Sequence, residues 1–188
     1  MISSKAATSR LRTQDMAYIA LFAVLMAICA WITIPLPRPF MQFTMQTFAM
    51  YTALAALGGR RGSYAMLVYL LLGAVGVPVF SGFRGGMGVL LDATGGYIIG
   101  FVAAALLYWL VTTHLGDSLP VVIFACVLGL AVCYAFGTVW FLAVYASTTG
   151  PIGLVTALSW CVFPYILPDL AKLALAVTVS RRIKQFLK

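Results

Sequence analysis

The chain has 188 residues, of which 63% are hydrophobic and 9% charged, and its mean hydropathy is +1.06. A soluble domain of this size cannot bury so much apolar surface, so the composition excludes an ordinary soluble protein and indicates a bilayer as the solvent. The net charge of +8 comes from basic residues gathered at the chain ends and in one short loop, which argues against nucleic-acid binding and for membrane topology signals.

Charged residues, prolines and glycines divide the apolar stretches into candidate membrane helices, each of which needs about 20 apolar residues. We expect a single-domain (residues 1–188), all-α integral membrane bundle of six transmembrane helices with both termini cytoplasmic. The predicted segments are about Met16 to Ile34, Phe43 to Leu57, Ser63 to Val77, a fourth ending near Thr113, Leu119 to Tyr145, and a sixth ending at Ser180.

The first two segments have clear ends. Thr13 or Asp15 can cap the start of the first segment, which is expected to be retained rather than cleaved as a signal peptide. It stops at residues 35–39, Pro-Leu-Pro-Arg-Pro, because prolines remove backbone donors and restrict the residues before them. The second segment is short and stops at residues 58–62, Gly-Gly-Arg-Arg-Gly.

A glycine-rich stretch precedes the fourth segment. Residues 81–88 read Ser-Gly-Phe-Arg-Gly-Gly-Met-Gly, and residues 94–96, Thr-Gly-Gly, then interrupt the start of that segment. This pattern is typical of a re-entrant segment, which enters the membrane and leaves it on the same side. Irregular backbone at membrane depth is tolerated where protein or a wet cavity satisfies it, so this stretch, the glycine loop, is a candidate wall of a binding site.

The last part of the chain is also divided by prolines. Residues 151–164 are predicted to form a short helix lying over the bundle, and Pro168 is predicted to occupy the first turn of the sixth helix.

If six helices alternate, the positive-inside rule places nine basic residues on the cytoplasmic side and only Arg38 and Arg84 outside. The nine are Lys5, Arg10, Arg12, Arg60, Arg61, Arg181, Arg182, Lys184 and Lys188.

Asp169 and Lys172 form an ionisable pair in the sixth segment. Charged groups at membrane depth are costly unless paired or facing a cavity, and they suggest a substrate or ion path. Residues three apart lie on one helix face, so both side chains can reach one small molecule or each other. Asp169 also follows Pro168 at the predicted helix start, where free N–H groups favour a polar ligand. An internal ion pair that only locks the helix is the alternative.

Three other polar residues are candidates for ligand contact. Arg84 lies among glycines that allow close backbone approach, and its guanidinium can grip a carboxylate with two hydrogen bonds; the alternative is a headgroup anchor. The Gln46 amide can contact a ligand or a neighbouring helix. Tyr97 can line a pocket, although interfacial aromatic belts explain many such residues.

Several kinds of chemistry are not expected. The four cysteines (Cys29, Cys126, Cys133 and Cys161) are scattered without a C-x-x-C motif and there is one histidine, His114, so no metal site is predicted. The sequence also lacks a Walker P-loop and the H-E-x-x-H and G-x-S-x-G motifs, so no catalytic or ATP-hydrolysing site is predicted.

Taken together, the motifs resemble the BioY family, the biotin-specific S components of energy-coupling factor transporters. The motifs are residues 34–37 (IPLP), 46–48 (QTF), 59–62 (GRRG), 70–80 (LLLGAVGVPVF), 85–91 (GGMGVLL), 94–101 (TGGYIIGF), 164–165 (PY) and 168–172 (PDLAK). The resemblance implies a six-helix subunit of the cell membrane that binds biotin from outside, has no enzymatic activity or cofactor, and works with a transmembrane coupling subunit and two cytoplasmic ATPases.

The resemblance also implies roles for particular residues. Asp169, Lys172 and the glycine loop belong to the ligand site of the family, and an alanine pair on the first helix, matched here by Ala23 and Ala27, contacts the coupling subunit. The full set of predicted ligand-binding residues is Gln46, Gly82, Phe83, Arg84, Gly85, Gly86, Tyr97, Asp169 and Lys172.

The chemistry of biotin is compatible with this assignment. Asp169 can accept from the ureido N–H groups, Lys172 can donate to the ureido carbonyl or offset the Asp169 charge, and Arg84 can meet the carboxylate. An S component for another vitamin such as thiamin, a small intramembrane enzyme and a purely structural membrane protein remain the alternatives; sparse acids argue against the first, and the lack of a nucleophile–base pair against the second.

Overall fold

The computed structural model describes residues 12–37 and 40–186. Arg38 and the basic residues Lys5, Arg10 and Lys188 lie outside the described residues. The elements, in chain order, are α1 (Thr13–Trp31), β1 (Thr33–Ile34), β2 (Phe43–Thr44), α2 (Gln46–Leu57), α3 (Gly59–Ala74), α4 (Met87–Leu91), α5 (Gly95–Leu115), α6 (Leu119–Thr148), α7 (Leu154–Cys161) and α8 (Phe163–Lys184).

Four of these helices are long and apolar enough to cross a membrane: α1, α5, α6 and α8. With these helices the chain is a multi-pass membrane protein, and its helical class is confirmed. The helices α2 and α3 contain 12 and 16 residues, which is short for a full span. The count of six spans and the cytoplasmic position of both termini therefore stay predictions.

The central helix of the bundle is α2. Eleven of its 12 residues are buried, because α1, α3, α5 and α8 all pack against it. A helix that is apolar on every side is suited to the middle of a bundle rather than to its lipid-facing surface. The antiparallel pair β1–β2 joins α1 to α2, with Thr33 opposite Thr44, and so fixes where α2 starts.

The glycines and arginines at 58–62 do not form the predicted loop. Gly58 alone separates α2 from α3, and its φ of +81° is the left-handed conformation that favours glycine. Arg60 and Arg61 therefore lie in the first turn of α3. A Cβ atom at Gly59 would lie 2.5 Å from the Trp109 Cα, so a side chain larger than hydrogen would block the packing of α3 on α5.

The predicted position of Pro168 in a first helical turn is wrong. The sixth predicted helix begins earlier, at Phe163, with Pro164 in its first turn, and Pro168 lies inside α8. Pro164 suits the first turn of a helix, and α8 therefore starts there. Only one residue separates α8 from the short helix α7. Asp169 is consequently not at a helix N-terminus, and the free N–H groups expected beside it are absent.

Ala23 and Ala27 are buried in the chain's own core, with 2% and 5% of their surface exposed. They pack on the inner side of α1, which contacts α2 and α3. Small residues four apart do allow close helix packing, but here the neighbours belong to the same chain. The burial of Ala23 and Ala27 leaves little surface for another subunit, and the predicted contact with a coupling subunit stays a prediction. The exposed side of α1 carries Ala17, Ala20, Leu21, Val24 and Ile28.

Candidate functional site

A cavity lies between α2, α5, α6 and α8, and we call it the site cavity. It holds about 770 Å³ of atom-free space, a figure that includes its open mouth. Its wall is formed by Met41, Gln42, Thr44, Gln46, Thr47, Met50, Tyr51, Ser81, Thr94, Tyr97, Ile98, Phe101, Leu130, Cys133, Tyr134, Cys161, Tyr165, Asp169 and Lys172.

Asp169 is the acidic residue of this wall. It is 5% exposed, and three side chains donate hydrogen bonds to its carboxylate. Thr47 Oγ1 and Lys172 Nζ donate to Oδ1 at 2.9 and 2.8 Å, and the Tyr134 hydroxyl donates to Oδ2 at 2.7 Å. A carboxylate offers about four acceptor positions, so one position of the Asp169 carboxylate is left for a ligand donor.

Lys172 is the basic residue of the wall, and it is 7% exposed. Besides Asp169, its ammonium group donates to the Thr44 carbonyl at 2.8 Å and lies 3.7 Å from the centre of the Phe43 ring. The short β1–β2 pair therefore positions two of the groups that stabilise the charge. With one acid and one base, the wall has no net charge, which suits an uncharged polar ligand group better than a cation.

A hydrogen-bonded chain links the site cavity to the segment that leads into the glycine loop. Thr44 Oγ1 donates to Gln46 Oε1 at 3.1 Å, and Gln46 Nε2 donates to the Tyr69 hydroxyl at 2.6 Å. The Tyr69 hydroxyl in turn donates to the Val79 carbonyl at 3.1 Å. Gln46 thus contacts a neighbouring helix and also faces the cavity, so both interpretations of this residue agree with its position.

Two hydroxyl groups on the wall have no hydrogen-bond partner. The Tyr51 side chain is fully buried and its hydroxyl is unpaired, and the buried hydroxyl of Thr94 is also unpaired. A buried hydroxyl without a partner loses its hydrogen bonds to water and gains none in return. Both residues line the site cavity.

Most of the glycine loop lies away from the cavity wall. Ser81 lines the cavity, but Gly82, Phe83, Arg84, Gly85 and Gly86 do not. The Phe83 ring instead stacks on Trp31 at the end of α1, with 4.9 Å between ring centroids, and the Trp31 indole donates to the Pro78 carbonyl.

Arg84 is held at the rim. Its guanidinium lies 3.6 Å from the Asp92 carboxylate and donates to the Ser81 carbonyl, and its side chain is 41% exposed. The structure thus brings Gln46, Tyr97, Asp169 and Lys172 together on one wall and leaves Arg84 outside it.

Aromatic and apolar side chains form the remainder of the cavity. Tyr97 is fixed by a hydrogen bond between its hydroxyl and Thr138 at 3.1 Å, and its ring fits against Gly137, where a Cβ atom would lie 2.3 Å from the ring. The Tyr165 hydroxyl donates to the Met41 carbonyl. This surface can bury an apolar ligand body, while the Asp169 and Lys172 end offers an acceptor and a donor to a polar group.

Three site residues could not be inferred from the sequence. Thr47 lies in the 46–48 motif, but the motif does not assign it a contact with Asp169, and Tyr51 and Tyr134 resemble the other tyrosines of the apolar segments. The described residues contain no group of three His, Cys, Asp or Glu side chains that could hold a metal ion.

Comparisons with known proteins identify the family of the chain. A family model described as the BioY family matches residues 3–188. The biotin transporter BioY of Thermotoga maritima is 36% identical over 166 residues, which are 88% of this chain and 92% of that protein. The probable biotin transporter BioY of Pyrococcus horikoshii is 34% identical over 175 residues, which are 93% of this chain and 98% of that protein.

A solved structure shares the fold. It is the crystal structure at 2.1 Å of the S-component for biotin from an ECF-type ABC transporter, and it is 23% identical to this chain. The match covers 92% of this chain and 91% of that one, with a TM-score of 0.78. The fold and the sequence matches together lead to one assignment: the chain belongs to the BioY family.

Proposed function

We propose that the chain captures biotin in the cell membrane as the S component of an energy-coupling factor transporter. The observation that carries the proposal is the buried Asp169–Lys172 pair on the wall of the site cavity, in a chain whose relatives are named biotin transporters. A ureido ring needs an acceptor for its N–H groups and a donor for its carbonyl, and this pair supplies both.

The polarity of the wall supports one orientation of biotin in the site cavity. The ureido ring binds at Asp169 and Lys172, and the thioether ring packs on apolar and aromatic side chains. The valerate chain then points to the mouth of the cavity. Arg84 acts on the carboxylate from the rim. A net-neutral wall gives no advantage to a cationic vitamin such as thiamin.

We further propose that the subunit does not use ATP itself. The sequence has no phosphate-binding P-loop, so energy for uptake comes from partners: a transmembrane coupling subunit and two cytoplasmic ATPases. The chain then has six spans, with α2 and α3 completing the four long helices. It is a binding subunit, not an enzyme, and needs no cofactor.

Uptake measurements test this proposal. Labelled biotin is offered to cells that lack biotin uptake and express the chain with, or without, the coupling subunit and ATPases of a family member. We expect uptake above background with the partners, and none when the ATPases carry an inactivating change in their P-loops. Uptake of thiamin but not of biotin would refute the substrate assignment.

The unpaired Tyr51 hydroxyl gives a sharp test of the ligand position. Tyr51→Phe is expected to weaken biotin binding about 2- to 12-fold, because one hydrogen bond contributes about 0.5–1.5 kcal/mol. Tyr108→Phe is the matched control: its hydroxyl is also buried and unpaired, but Tyr108 does not line the site cavity. Equal biotin affinity of the two variants, measured by titration calorimetry, would remove Tyr51 from the site.

Arg84 is expected to contribute to binding only through the carboxylate of biotin. Arg84→Ala should weaken biotin binding about 2- to 5-fold, since an exposed charge pair contributes at most about 1 kcal/mol, and should leave a biotin amide unchanged. Asp92→Asn removes the carboxylate that pairs with Arg84 and should not weaken biotin binding. Equal losses for biotin and its amide in Arg84→Ala would show that Arg84 supports the loop instead.

A further inference from the structure

Arg181 and Arg182, near the end of α8, have no carboxylate side chain to pair with. The chain contains four acidic residues, and each lies in an ion pair with another basic residue. The pairs are Asp15 with Arg61 at 2.9 Å, Asp92 with Arg84 at 3.6 Å, Asp117 with Lys184 at 2.6 Å, and Asp169 with Lys172 at 2.8 Å. Both arginines are exposed, and the four aspartates leave no carboxylate side chain for them.

The two arginines stand at one end of an apolar groove between α6 and α8, which we call the α6–α8 groove. The helices α6 and α8 contact each other only sparsely, so the groove stays open and holds about 990 Å³ of atom-free space including its open side. It is lined by Leu119 and Ile123 of α6 and by Leu173, Ala174, Val177, Thr178, Arg181, Arg182 and Gln185 of α8.

The lining residues of α8 form one continuous helix face. Leu173, Val177 and Arg181 follow each other at intervals of four, and so do Ala174, Thr178 and Arg182. Along this face the surface changes from apolar to basic. An occupant must therefore have a long apolar part and an anionic end.

We propose that the α6–α8 groove binds an anionic phospholipid, with an acyl chain along Leu173 and Val177 and the phosphate between Arg181 and Arg182. Both α6 and α8 are long and apolar enough to cross a membrane, which brings a groove between them within reach of lipid. Guanidinium groups match phosphate oxygens bidentately, and basic pockets between membrane helices bind anionic headgroups. The arginines also lie on the side predicted to be cytoplasmic, whose leaflet is negatively charged.

Native mass spectrometry of the purified chain tests this site, with phosphatidylglycerol and phosphatidylcholine added at equal concentration. We expect preferential retention of phosphatidylglycerol. Arg181→Gln and Arg182→Gln should each reduce its affinity about fivefold and the double variant roughly 25-fold, since a basic residue near the surface contributes about 1 kcal/mol. Ala174→Phe, which fills the groove, should also displace the lipid.

Matched controls separate the groove from general charge and size effects. Arg12→Gln removes an exposed arginine outside the groove, and Ala20→Phe enlarges an exposed alanine of α1. Both should retain the lipid, and biotin binding should be unchanged in every variant. Equal lipid loss in Arg12→Gln, or equal retention of the two lipids by the parent, would overturn the proposal. So would displacement of the lipid by millimolar inorganic phosphate, or lipid retention in Ala174→Phe.

Discussion

Asp169→Asn is expected to lose biotin binding by about 2–5 kcal/mol, or roughly 30-fold to 4,000-fold in Kd, because it changes a buried, charged hydrogen-bond partner of the ligand. The amide keeps the shape of the carboxylate but replaces one acceptor oxygen with a donor. Thr47, Tyr134 and Lys172 already donate to this group, so an amide NH2 would face donors whichever way it turned. Titration calorimetry on detergent-purified protein measures the effect.

Asp117→Asn is the matched control for this change. Asp117 also pairs with a lysine, Lys184, at 2.6 Å, but it is 54% exposed and lies outside the site cavity. We expect biotin binding in this variant to equal that of the parent. Parent-like binding in Asp169→Asn would show that the ureido ring is recognised elsewhere.

Lys172→Met is expected to abolish biotin binding and also to destabilise the protein. Removing one partner of a buried ion pair leaves an uncompensated charge, which typically destabilises by about 3–5 kcal/mol. The Thr44 carbonyl and the Phe43 ring would lose their cation as well. Thermal unfolding in detergent, followed together with biotin binding, separates the two effects.

The double variant Asp169→Asn with Lys172→Met distinguishes recognition from stability. It removes both charges, so we expect a melting temperature nearer to that of the parent than Lys172→Met alone, but no recovery of biotin binding. Lys184→Met, at the exposed pair, should change neither quantity much. Recovery of binding in the double variant would mean that the pair only locks α8 to α2.

The sequence predicted Asp169 and Lys172 as candidate site residues because ionisable side chains are rare at membrane depth. A spacing of three residues places Asp169 and Lys172 on one helix face wherever α8 begins, so the pair was identified although the predicted start at Pro168 was wrong. The start was missed because Pro164 and Pro168 both suit a first turn, and local preference alone does not choose between them.

The neutral half of the site depends on tertiary contacts. Thr47 and Tyr134 reach Asp169 from 122 and 35 residues away in sequence, from helices that are apolar on most sides. Periodicity does not say which face of such a helix meets α8. The spacing of Ala23 and Ala27 had the same limit, because it predicts a close helix neighbour but not whether that neighbour belongs to this chain or to a partner.

The glycine loop shows a third limit. Glycines at 82, 85 and 86 predicted a backbone that approaches a ligand, and Arg84 was placed with them. In the structure Phe83 stacks on Trp31 and Arg84 pairs with Asp92, so the loop is fastened to α1 and to the segment before α5, and only Ser81 reaches the cavity wall.

Equilibrium binding of labelled biotin to the purified chain, without partner subunits, tests the central claim most directly. If biotin binds in the site cavity at Asp169, we expect saturable binding of one biotin per chain. Excess thiamin should not affect this binding, and it should be lost in Asp169→Asn but not in Asp117→Asn. Absence of binding, displacement by thiamin, or full binding in Asp169→Asn would contradict it.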